Sequence, residues 1–289
     1  MTGWGLREGD AITEDLVAVR RLGGGATYEA YLAFDEVTWG PVVAKLVRPD
    51  LVEDASSLRG LRREAEALTT VNHPVVVRAL RWTDSGPRPH LVLENLDGPR
   101  LSTLVRRHGR LQPQQYLVLG IELASALHYL RRLGWVHLDV KPSNIIMGAP
   151  ARLIDLSVAR PVEDAARLKH VIGTDRYLAP EQADPGGRAG VPGPASDVWG
   201  LAAVLFEAVS GTRPFRDGDP SAEVPHERHP QLVEGPATLP GDVPAPVREV
   251  VLAGLSPEPA DRPLPHEVSE VLEPVLHGLP APRLAGWRS

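Results

Sequence analysis

The chain has 289 residues, enough for one large domain or two lobes sharing a cleft. Its 43% hydrophobic and 24% charged residues describe a globular chain, and a net charge of −6 leaves no electrostatic footprint for nucleic acid or an anionic membrane. The absence of cysteine excludes disulfides, thiolate zinc sites and cysteine nucleophiles, and with no basic-then-apolar leader and no apolar run of spanning length it fits a cytoplasmic protein.

Residues 16–23 and 26–34 read as two short strands around a Gly-rich turn, and 41–47 as a third. A charged helix follows over 55–71, with Leu58, Leu61, Ala65 and Leu68 at three- and four-residue spacing, and His73-Pro74 stops it. Val75–Val77 and Leu91–Leu93 suit further strands, so the first third is a small sheet with one helix. After Gly98 the texture turns helical, with an apolar stripe at Leu117, Ile121, Ala124, Leu127 and Leu130. Residues 137–155 are short strands and loops dense in Asp, Asn and Lys. The stretch 197–210 is apolar nearly all round and predicts a buried helix; 183–194 and 217–246, rich in Gly and Pro, predict loops. Helical patterns resume over 247–255 and 265–277.

Only three of the 31 basic residues are lysine: Lys45, Lys141 and Lys169. Lysine offers a compact ammonium where arginine offers a wide fork, so a chain that avoids lysine can keep it where the fork does not serve. Lys45 ends Val42-Val43-Ala44-Lys45, an apolar strand on which a buried ammonium needs a counter-charge. Glu64, on the next helix, is a plausible partner; taken alone, Lys45 also reads as a solvated edge-strand residue. The glycines of Leu22-Gly23-Gly24-Gly25 let backbone N–H groups approach anionic oxygens, although a Gly run between strands is more often a plain turn. More specific is His137-Leu138-Asp139-Val140-Lys141-Pro142-Ser143-Asn144, followed eleven residues later by Asp155. Two carboxylates and an amide oxygen converging from loops suit a hard cation such as Mg²⁺, which keeps positions for phosphate oxygens; singly, each residue is an ordinary loop cap.

In order and with Lys141 inside it, this set resembles the Hanks-type protein kinases, most closely the bacterial eukaryotic-like Ser/Thr kinases. The resemblance runs from about Leu16 to about Val275. It implies an α+β, bilobal fold: a small antiparallel-sheet N-lobe with one main helix (14–96), and a larger, mostly helical C-lobe (97–278). A 1–13 extension and a 279–289 tail flank the lobes. Transfer of the ATP γ-phosphoryl group to Ser/Thr hydroxyls of a protein substrate is the implied activity, with Mg²⁺ or Mn²⁺. By the same resemblance Gly23 and Gly25 belong to the phosphate-covering loop, Lys45 holds the α- and β-phosphates, and Glu64 orients it. Ala30, Val43, Leu93 (the gatekeeper), the backbone of Glu94 and Leu96, and Ile146 surround adenine. Asn144 and Asp155 ligate the metal. Asp139 orients the acceptor hydroxyl and takes its proton, Lys141 meets the transferring phosphoryl group, and Thr174 links Asp139 to the peptide-binding segment ending in Ala179-Pro180-Glu181. Asp197 braces the catalytic loop, Arg262 pairs with Glu181, and Leu68, Leu156 and His137 stack in an internal spine.

Four departures from the family pattern stand out. Tyr28 replaces the third loop glycine and is expected to stiffen the loop and cover the phosphates. Ala30 and Val43 exchange the usual Val and Ala of the adenine roof, roughly conserving volume. Ser157 replaces the glycine after Asp155-Leu156, restricting the backbone. Leu138 replaces the arginine that grips a phosphorylated activation loop, and between Asp155 and Glu181 the only hydroxyl residues are Ser157, Thr174 and Tyr177. Control by activation-loop phosphorylation is therefore not expected; a regulatory protein, homodimerisation or expression would take its place. The alternative reading, from the same departures, is a pseudokinase serving as an ATP-binding scaffold.

Overall fold

The computed structural model describes residues 3–280; the tail expected at 279–289 lies, from 281 on, outside the described residues. Five strands, β1 (Leu16–Gly24), β2 (Tyr28–Asp35), β3 (Gly40–Val47), β4 (Ala79–Thr83) and β5 (His90–Glu94), form one antiparallel sheet in the order β1-β2-β3-β5-β4. Helix α1 (Ala55–Thr70) packs on it, and its first turn is capped by Asp54, whose carboxylate accepts from the Ser57 N–H at 2.7 Å. Strict alternation along β2 buries Glu29, Tyr31, Ala33 and Asp35 on one face. The two buried carboxylates there are paired: Asp35 with Arg81 at 2.6 Å and Glu29 with Arg21 at 3.0 Å. Ahead of β1, Trp4, Leu6 and Ile12 lie against the sheet. Trp4 donates its indole N–H to the Val47 carbonyl and its backbone N–H to Glu29, and Ile12 is buried against Leu16 and its neighbours.

The run Val75–Val77 is not a strand. Its side chains are buried in the core below α1, and only Val76 makes a bridge, to Leu153; the strand begins two residues later at Ala79. Val75 accepts from the Leu153 N–H at 2.6 Å and Val77 donates to the Leu153 carbonyl at 3.0 Å, so the run pairs through a single bridge and is otherwise enclosed, which composition cannot tell from a full strand.

The rest of the chain is built on helices α2 (Leu101–His108), α3 (Pro113–Arg132), α4 (Val162–Ala165), α5 (Pro180–Ala183), α6 (Pro194–Ser210), α7 (Pro225–Arg228), α8 (Ala245–Gly254) and α9 (Pro265–His277). The short strand pairs β6 (Trp135–Val136) with β9 (Arg160–Pro161), and β7 (Ile145–Ile146) with β8 (Arg152–Leu153), carry the loops that face the sheet. Helix α6 begins three residues before the apolar stretch suggests, because Pro194 at its first turn costs no hydrogen bond. The 217–246 region is loop broken by α7 and a 3-10 turn at Pro230–Leu232. One core runs from Leu61 and Leu68 of α1 through Leu117, Leu123 and Leu127 of α3 to Trp199, Leu205 and Phe206 of α6. Gly200 lets α6 approach the catalytic loop, since a Cβ there would meet Val140 at 2.8 Å.

A buried ion pair ties the end of the activation segment to the helical lobe. Arg262 donates to both oxygens of Glu181 at 2.7 and 2.9 Å, both side chains are fully buried, and Ser196 adds a bond at 2.7 Å. Its guanidinium also satisfies the Ala195, Ser256 and Pro257 carbonyls and lies 5.1 Å from the Trp199 ring centroid. Removing one member strands the other charge, so Glu181→Gln or Arg262→Ala is expected to cost about 3–5 kcal/mol, read as a fall in the denaturant midpoint.

Candidate active site

A cleft of about 820 Å³ lies between the sheet and the helical lobe. Its roof is the β1–β2 turn with Gly23 and Gly25, then Ala30 and Val43; its back is Lys45, Glu64 and Leu93; its floor is Ile146, Asn144 and Asp155. Glu94 and Leu96 stand at the strand-to-helix crossing, where the Glu94 side chain is held by the Arg78 N–H at 2.8 Å and by Arg152. Lys141 also lines the cleft, whereas Asp139 and Thr174 are joined to it through hydrogen bonds.

Lys45 is the meeting point. Its ammonium contacts both oxygens of Glu64 at 2.9 and 2.7 Å and Asp155 at 2.9 Å, bringing together β3, α1 and the loop after β8. Burial works against the lysine charge, but the two carboxylates outweigh it and raise the pKa above the ordinary lysine value. Burial likewise opposes ionisation of Asp155, and the Lys45 charge prevails and holds that carboxyl well below its usual range. The three groups sum to one net negative charge, with Lys45 and Glu64 enclosed and the Asp155 side chain 37% exposed to the cleft, which is a site for a cation. Asn144 complements it: its Nδ2 donates to the Asp139 carbonyl at 3.0 Å and carboxylate at 3.1 Å, leaving the amide oxygen as the ligand atom. Among the described residues no group of three or more His, Cys, Asp or Glu could hold a metal ion. One carboxylate and one amide oxygen suit a hard ion that takes its remaining ligands from water and phosphate, so the residues fit Mg²⁺ or Mn²⁺ with ATP.

Asp139 is held from three sides. Lys141 donates to one of its oxygens at 2.6 Å, Thr174 to the other at 2.8 Å, and Asn144 adds the contacts above. The loop that presents it is strained at Leu138, with φ 64°, and the loop after β8 is likewise left-handed at Asp155, with φ 67°. Asp197 supports this loop by accepting the His137 and Leu138 N–H groups at 2.7 Å each, and burial pushes its carboxyl pKa up. Gln182 supports it from the other side, donating to the Leu138 carbonyl at 2.9 Å and the Ile172 carbonyl at 3.3 Å. The sequence reading missed Gln182; its only signal is its place directly after Ala-Pro-Glu. Ser157 adopts no left-handed backbone, so a side chain is accommodated there without strain. Tyr28 lines the cleft on the same face of β2 as Ala30, with its ring 4.8 Å from the Lys45 ammonium, and its hydroxyl reaches past the cleft to the Ser57 carbonyl on α1.

The family model for the protein kinase domain matches residues 16–284. This chain belongs to the protein kinase family. It is 33% identical over 250 residues to serine/threonine-protein kinase PknB of Mycobacterium leprae, covering 83% of this chain and 39% of that one. It is 32% identical over 251 residues to PknB of Mycobacterium tuberculosis, with the same coverage, and 32% identical over 253 residues to PknA of that organism, covering 84% of this chain and 57% of that one. The kinase domain thus spans about two fifths of the length of the PknB relatives. No helix among its described residues is long and apolar enough to cross a membrane.

In this kinase domain Leu138 sits in an apolar nest. It is buried with Val136 and Ala165, and Val158, Val162 and Leu168 pack around them. Helix α4 of the activation segment therefore rests on Leu138 by contact of methyl groups, at the position where the family pattern has an arginine. Leu138→Ala is expected to cost about 2–3 kcal/mol and to speed trypsin cleavage after Arg167 and Lys169, both exposed on the segment that leaves the nest.

Proposed function

We propose that this kinase domain transfers the ATP γ-phosphoryl group to Ser/Thr hydroxyls of protein substrates in the cytoplasm, and that activation-loop phosphorylation does not control it. The observation that carries the reading is the three-sided hold on Asp139, which a nucleotide-binding scaffold does not require. Its relatives' names, serine/threonine-protein kinases, support the same class.

When bound, ATP supplies the phosphoryl group and Mg²⁺ or Mn²⁺ neutralises charge on its oxygens. Lys45, fixed by Glu64, holds the α- and β-phosphates, and Asp155 and Asn144 hold the metal. Asp139 orients the acceptor hydroxyl in line with the γ-phosphorus. As the new O–P bond forms, the bond to the β–γ bridging oxygen breaks, ADP leaves and the hydroxyl proton passes to Asp139. A carboxylate is a weak base, so its main contribution is position, with proton transfer late. Lys141, between Asp139 and Thr174, is placed to meet negative charge on the moving group. Adenine is assigned to the space bounded by Ala30, Val43, Leu93, Ile146 and the Glu94–Leu96 backbone.

Independence from activation-loop phosphorylation is supported by the Leu138 nest and by the lack of any hydroxyl residue from 160 to 172. Control would then rest with a regulatory protein or homodimerisation. The test is label transfer from γ-labelled ATP with Mg²⁺ to a generic protein substrate, beside Asp139→Asn. Transfer by the wild type with a fall of about 10²-fold or more in the variant is expected. No transfer by the wild type, with nucleotide binding that depends on Lys45, would establish the scaffold instead.

A further inference from the structure

Glycine in a helix interior is unfavourable relative to alanine because the free chain loses more freedom and no side chain packs. Helix α1 nonetheless has Gly60 at its centre. The occupant of the space a side chain would take is Tyr28: a Cβ on Gly60 would stand 3.0 Å from the Tyr28 hydroxyl. That hydroxyl donates to the Ser57 carbonyl at 3.0 Å, one turn earlier. Burial pushes the Tyr28 phenol up to about 12, so the hydroxyl keeps its proton and remains a donor. Across the ring, the Lys45 ammonium lies 4.8 Å from the centroid, within cation–π range.

Positions 57, 60 and 64 fall at i, i+3 and i+7, so Ser57, Gly60 and Glu64 share the helix face turned toward β3. Tyr28 therefore touches both halves of the Lys45–Glu64 pair: the lysine through its ring, and the face that bears the glutamate through its hydroxyl. Two departures from ordinary sequence preference, a bulky residue in the Gly-rich loop and a glycine inside a helix, fit one another in space.

We propose that Tyr28 is a positioning residue, seated over Gly60 to lock α1 against β2 and β3 so that Glu64 stays on Lys45 without help from the activation segment; this rests on the phosphotransfer reading above. The hydroxyl's part of the lock would set turnover rather than nucleotide affinity, because it fixes α1 and Glu64, whereas the ring that lines the cleft beside Lys45 is kept in Tyr28→Phe.

The experiment is a double-mutant cycle on the whole chain: wild type, Tyr28→Ala, Gly60→Ala and the double variant, with Tyr28→Phe as the conservative member. The readouts are kcat, KM for ATP, melting temperature and amide exchange over residues 61–68. Tyr28→Phe keeps the ring and loses one hydrogen bond, so kcat falls about fivefold with KM for ATP within about twofold. Gly60→Ala lowers kcat about as much while leaving the melting temperature equal or higher, as helix propensity favours alanine. In the Tyr28→Ala background the same Gly60→Ala change costs nothing further, the sign that the two sites act as one. Exchange over α1 rises in Tyr28→Ala. Equal losses from Gly60→Ala in both backgrounds, or no loss in either, overturns the proposal. If the wild type transfers no phosphate, the kinase reading falls separately, and unchanged exchange over α1 in Tyr28→Ala then overturns the lock.

Discussion

The contact on which the structure turns is the ammonium of Lys45 between two carboxylates. It draws β3, α1 and the loop bearing Asp155 to one point, and each comes from a different part of the fold. Lys45 and Glu64 are removed from water and neither charge is stable there by itself; with the more open Asp155 they leave one negative charge unanswered at the cleft floor. The cleft floor is therefore anionic, which suits a hard cation. The antiparallel sheet supplies the rigid strand for the lysine, and the inner face of α1 supplies the glutamate at the right height.

The other half of the site is held by different means. Asp139 depends on hydrogen bonds from Lys141, Thr174 and Asn144, and the loop carrying it depends on Asp197 and Gln182, which pin a left-handed Leu138 from its two ends. The activation segment is fastened at one end by apolar packing around Leu138 and at the other by the Glu181–Arg262 pair. None of these fastenings requires a phosphate. Apolar packing stands at position 138, where the family pattern has a phosphate-gripping arginine, and a buried ion pair holds the far end.

Much of this was legible from residue type and order. Asp139, Lys141, Asn144 and Asp155 announce themselves because a catalytic loop needs those side chains at fixed spacing, and Lys45 because a lysine-poor chain kept it on an apolar strand. Arg262 and Glu181 were paired before their distance was known. What order could not supply was direction in space. Val75–Val77 has strand composition, but enclosure and a single bridge to Leu153, not a full strand, explain it. Nothing in a loop sequence tells that Tyr28, lining the cleft, also reaches α1 with its hydroxyl. Gln182 and Gly60 carry no motif at all; the first is defined by the carbonyls it reaches and the second by the ring that fills its space.

Assembly of the site without covalent activation is open to test. Its most direct measurement is the time course of substrate phosphorylation by protein made phosphate-free with a phosphatase and verified by mass spectrometry. The account predicts an initial rate equal to that of untreated protein, linear from the first seconds with no lag. A lag that shortens on preincubation with ATP, or a large loss of rate restored by autophosphorylation, would contradict it.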